Sequence, residues 1–131
     1  MWEWIRSAPG RQKAPHVIWA LGRKMMNSVI AHSTILGQRH GEERFEIIVE
    51  IGTPYLCGDD PEEWACPVAV RPLYKSLHDA HGGDSFQSLC LAIALVQDLL
   101  QGFREKGGSL TCENGEQFPL ESYSFGISKR P

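Results

Sequence analysis

Between Asp84 and Phe103 the chain sets Phe86, Leu89, Cys90, Ile93, Val96 and Leu100 at steps of three and four, with Leu91, Leu95 and Leu99 widening the arc. Apolar residues at that period share one face of an α-helix. An arc so broad belongs to a helix lying heavily buried on a sheet, which constrains the fold more than any other stretch. Asp84 is a favoured N-cap residue, Gln87 three positions later completes a capping-box pattern, and Gly82-Gly83 turns the chain into the helix. "GFREKGG" closes it with basic residues near the C-terminus and glycines beyond. The reading predicts the longest helix from Asp84 to about Phe103, packed through Phe86, Leu89, Ile93 and Leu100.

The sheet is sought upstream. "SVIAHSTILGQR" and "RFEIIVEIGTP" are rich in β-branched residues and separated by "HGEE", which predicts two antiparallel strands with a turn at Gly41. Phe45, Ile47, Val49 and Ile51 fall on one face, Glu46, Ile48 and Glu50 on the other. "YLCGDDPEE" reads as an acidic loop. "WACPVAVRPLYKSLHDA" supplies a third strand that runs toward a fourth after Pro72, with an edge or bulge near Pro67 and Pro72 because neither residue can donate to a ladder. Asn114-Gly115 signals a short C-terminal hairpin. The expected architecture is α+β: an antiparallel sheet of about four strands on one long helix, residues 29–131 forming one domain behind an arm or short helix at residues 1–28.

That arm, "MWEWIRSAPGRQKAPH", mixes tryptophan with proline, glycine and basic residues and has no steady period. Residues 1–26 carry five basic residues against Glu3, a net +4, which leaves eight basic residues against fifteen acids, a net −7, in residues 27–131. An overall charge of −3 and a pI near 5.9 exclude a general basic footprint for nucleic acid or an anionic membrane. Four cysteines at spacings of 9, 24 and 22 match neither a metal knuckle nor a disulfide framework, so reduced thiols and a cytoplasmic location are expected. "VIWAL" is too short for a signal-peptide core or a membrane span.

"IGTP" at Ile51–Pro54, "WACPVAV" at Trp64–Val70, "GGDSFQSLCLAIALV" at Gly82–Val96 and "QFP" at Gln117–Pro119 together resemble an uncharacterised family of small bacterial domains. In that family a strand ending in G-x-P is followed by a W-x-C-P strand, a D-S-x-Q helix start and a late glycine-phenylalanine-proline, whose glycine is replaced here by Glu116-Gln117. The resemblance covers roughly Val29 to Leu120 and brings neither an activity nor site residues. Some members have the size of immunity proteins.

Each candidate site has a plain structural counterpart. Asp84-Ser85 lacks the G-x-S-x-G elbow and an assured base, and reads as helix capping. His78 and His81 form an H-x-x-H pair that Cys57 or Cys66 would have to complete, a weak pattern because structural zinc usually draws on two tight ligand pairs. Asp59, Asp60, Glu62 and Glu63, four acids in five positions beside Trp64, lack the register of a calcium loop and a partner for carboxylate catalysis. As a partner-binding loop they make sense, the acids steering a basic protein and Trp64 anchoring it. Trp2, Trp4 and Trp19 among basic residues on an acidic body suit packing better than nucleic-acid binding.

The expected function is a non-enzymatic protein-binding module with Asp59, Asp60, Glu62, Glu63 and Trp64 as its partner-binding residues. Its concrete form is a bacterial immunity or antitoxin-like inhibitor of a basic toxin domain. No catalytic residue, metal or cofactor is assigned, and neither nucleic acid nor membrane is expected as a partner. The alternatives are a small enzyme or metal-binding protein using His78, His81 and a cysteine, and a structural homodimeric module; the free protein is expected as monomer or homodimer.

Overall fold

A computed structural model describes residues 28–123; the predicted basic arm lies outside the described residues. The elements in chain order are β1 (Val29–Gln38), β2 (Phe45–Gly52), β3 (Tyr55–Asp59), β4 (Glu62–Cys66), β5 (Val68–Arg71), β6 (Ala80–Gly82), α1 (Ser85–Glu105) and β7 (Ser109–Thr111), followed by a 3-10 turn at Leu120–Tyr123. The fold is α+β, with the long helix packed against two antiparallel sheets rather than one. The larger has the order β5-β2-β1-β7 and the smaller β3-β4-β6.

Proline divides the sheets. The segment read as one strand from Trp64 breaks at Pro67: β4 joins the small sheet and β5 pairs with β2 in the large one, Ile51 opposite Val68. Pro67 has no N–H to give, but its carbonyl accepts from the Gly52 N–H at 2.9 Å, which fixes the crossing point. Because β5 is an edge strand, Pro72 just past its end costs no ladder bond. The predicted acidic loop is a hairpin, β3 and β4 pairing from Tyr55–Ala65 to Asp59–Glu62. No strand forms directly after Pro72; the next is the three-residue β6. The C-terminal hairpin is short, with β7 answered by an isolated bridge from Thr111 to Gln117.

The helix begins where the sequence places it. Asp84 Oδ1 accepts from the Gln87 N–H at 2.7 Å and the Gln87 side-chain oxygen accepts from the Gly83 N–H at 2.6 Å, a reciprocal cap. At the far end Gly108 N–H donates to the Phe103 carbonyl and Gly107 to that of Arg104, with Gly107 at φ +98°.

The buried line is Ser88, Ala92, Val96, Leu100 and Phe103. Phe86 was expected in the core and is instead 74% exposed. At about 100° per residue it stands some 200° from Ser88, on the far side of the helix. Small side chains take the centre of the contact at the N-terminal end because the sheet approaches closely there: a Cβ on Gly82 of β6 would meet the Ser88 nitrogen at 2.7 Å. Bulk returns at the C-terminal end, where Phe103 meets Phe45 of β2 edge-on at 6.0 Å. Leu89 and Ile93 flank the central line, partly buried. With Ile30, Val49, Phe118 and Leu120 they border an apolar cavity of about 400 Å³ between α1 and β1.

Leu100 is 2% exposed, so Leu100→Ala is expected to cost about 2–5 kcal/mol in urea unfolding. Phe86→Ala is expected to stay within about 0.5 kcal/mol, which separates this packing from one centred on Phe86.

Candidate functional site

The small sheet has two unlike faces. Along β4 the alternation turns Trp64 and Cys66 toward the helix and Glu63 and Ala65 to the opposite face, where Glu63 is exposed and Ala65 is covered by its neighbours, 0% exposed. Cross-strand pairing then sets Tyr55, Ala65 and His81 in one row, since Ala65 opposes Tyr55 on one side and His81 on the other. The register slips between Leu56 and Gly58, so the β-bulge at Cys57 brings it opposite the Glu63 end of β4.

Three potential ligands from three strands converge. His81 Nδ1 lies 2.5 Å from Glu63 Oε2 and 3.8 Å from Cys57 Sγ. Beside them the Tyr55 hydroxyl donates to Asp79 Oδ2 at 2.6 Å. Burial, then the hydrogen bond to Asp79 and its charge, push the Tyr55 phenol far above its ordinary value of 10.0, so it remains a donor throughout the neutral range. Burial pushes the Cys57 thiol up as well, followed by the charges of Glu63 and Asp79. This is a proton-retaining thiol, unlike the lowered thiols of cysteine nucleophiles.

The sequence-predicted residues fall into two sets. Asp59, Asp60, Glu62 and Glu63 do gather at the β3–β4 turn, with Asp59 paired to Glu62 across it. Trp64 does not join them as an exposed anchor: it is 6% exposed, with its indole N–H donating to Glu62 Oε2 at 2.7 Å. The residue between two outward positions of a strand must point inward, which is why an aromatic beside four acids is a core residue. Of the H-x-x-H pair, only His81 reaches the cluster. His78 is exposed before β6 begins, and Cys66 is fully buried with its Sγ toward the Gly52 carbonyl. Glu63 was recognised only as one of the acids; its place beside His81 follows from strand register, which no local spacing announces. Ser85 is accounted for by the helix start, its carbonyl accepting from Ser88 Oγ. All four cysteines are free thiols.

A family model described as a domain of unknown function (DUF6968) matches residues 33–121, more than half the chain, and the protein belongs to that family. No curated protein and no solved structure matches it.

Iodoacetamide labelling followed by peptide mapping, in the presence of a chelator, checks the electrostatics. Near pH 8 Cys57 is expected to react more slowly than an unperturbed thiol despite its exposure, and Glu63→Gln is expected to speed it several-fold by removing a charge that disfavours thiolate.

Proposed function

We propose that this member of a family without an assigned activity is a non-enzymatic protein-binding module that receives a basic partner on its acidic hairpin. The observation that supports this reading most is a charge imbalance. Residues 51–70 and 76–103, which include the whole small sheet and nearly all of α1, contain no lysine or arginine. Across residues 28–123 six basic residues stand against fifteen acids, a net −9. A surface of one sign raises the local concentration of an oppositely charged partner and accelerates encounter.

Since Trp64 is buried, another group must supply apolar area. Phe86, on the first turn of α1, is 74% exposed and provides it. The concrete form of the proposal is a bacterial, cytoplasmic immunity or antitoxin-like inhibitor whose carboxylates occupy the anion site of a basic toxin domain. A second reading, a homodimeric module, is favoured by the apolar cavity between α1 and β1 together with the exposure of Ile30. Light scattering of the full chain tests that reading.

The partner reading is tested by affinity capture with wild type and with the isosteric triple variant Asp59→Asn, Asp60→Asn, Glu62→Gln, followed by kinetics with the purified partner. Association is expected to slow by roughly tenfold or more and to lose much of its salt dependence, with Phe86→Ala accelerating dissociation. A partner whose rates ignore all four changes overturns the proposal.

A further inference from the structure

The outer face of the small sheet offers a second kind of chemistry, which shares only Glu63 with the acidic turn. Cys57 from β3, Glu63 from β4 and His81 from β6 present Sγ, a carboxylate oxygen and Nδ1 within 4.8 Å of one another. Among the described residues this is the one place where three such donors meet. Tetrahedral zinc has bonds of about 2.3 Å to sulfur, 2.0–2.1 Å to nitrogen and 2.0–2.2 Å to oxygen, which set the ligand atoms roughly 3.4–3.6 Å apart. The present S···N separation of 3.8 Å is close to that figure. The N···O separation of 2.5 Å has to open by roughly 1 Å, a movement within reach of a glutamate side chain that is 50% exposed.

We propose that Cys57, Glu63 and His81 form a binding site for zinc or a divalent ion of the same class. A thiolate, an imidazole and a carboxylate make a borderline-soft donor set, which favours zinc over calcium or magnesium, whose preferred ligands are all oxygen. The backbone places the donors before any ion arrives. The β-bulge brings Cys57 opposite Glu63, and pairing with Ala65 fixes His81 one residue before the close contact of Gly82 with α1. Three protein ligands leave the fourth tetrahedral position to solvent, which reaches a cluster whose His81 and Glu63 side chains are 53% and 50% exposed.

The test uses the full chain, purified without a polyhistidine tag, stripped with chelator and titrated with zinc by calorimetry, then with cobalt by absorption. One zinc per chain is expected, and cobalt should give tetrahedral d–d bands with a thiolate charge-transfer band. Cys57→Ser, His81→Ala and Glu63→Gln should each weaken zinc binding by at least about tenfold, the loss usual even for outer-shell partners. His78→Ala and the triple variant Asp59→Asn, Asp60→Asn, Glu62→Gln should bind as wild type, so this result stands or falls separately from the partner reading. Absence of zinc uptake by the stripped wild type overturns the proposal. So does wild-type affinity in Cys57→Ser and His81→Ala proteins whose circular dichroism shows the native fold, or a cobalt spectrum without the thiolate band.

Discussion

The contact of Gly82 with the first turns of α1 holds the arrangement together. A strand this close to a helix leaves no space for a Cβ, since one on Gly82 would lie 2.7 Å from the Ser88 nitrogen and 3.1 Å from the Gln87 Cβ. The helix meets that demand by offering Ser88 and Ala92 at the centre of its buried line. β6 is only three residues long and gains little from its own ladder. Its place is therefore fixed from the helix side, and β4 and β3 follow from β6. The small sheet, its acidic turn and the Cys57-Glu63-His81 cluster all inherit their positions from a backbone contact that only glycine permits.

The same contact explains which parts of the fold were legible. The helix was readable because twenty residues repeat one period and a reciprocal cap marks the start. Which side of it faces inward was not, since the apolar arc extends most of the way round. Bulk alone favours Phe86, while close approach favours Ser88 and Ala92. β1 and β2 were readable because ten and eight residues carry β-branched side chains and clear alternation. β3 was missed because Tyr55-Leu56-Cys57-Gly58-Asp59 has too few apolar positions to show a period, and its turn has the composition of a solvated loop. β6 is shorter than any pattern can resolve. The division at Pro67 was visible only as an expected irregularity, because a missing donor says that a ladder ends and not where the chain goes next.

The site was legible in its parts and not in its assembly. The acids were conspicuous by composition, and their gathering at one hairpin turn follows from their closeness in sequence. The cluster unites residues separated by 24 and 18 positions, and only strand register relates them. The H-x-x-H spacing favoured joining His78 to His81. His78 lies before β6 begins and outside its pairing with β4, so only His81 is placed by strand register beside Glu63 and Cys57.

Glu63 belongs both to the acidic turn and to the cluster, and this links the two readings physically. A carboxylate facing a thiol and an imidazole is already committed, whether as a hydrogen-bond acceptor or as a metal ligand, and is less available to a partner's lysine or arginine. Asp59, Asp60 and Glu62 carry the steering field instead. A divalent ion bound by Cys57, Glu63 and His81 would add two positive charges and release the thiol proton, moving the outer face of the sheet toward neutrality. The field felt by a basic partner would then weaken beside the cluster and persist at the tip, since a surface charge is screened over about 8 Å at physiological salt. Metal occupancy and partner association are thus expected to oppose each other modestly. The sign of that coupling follows from the shared Glu63 and from charge alone.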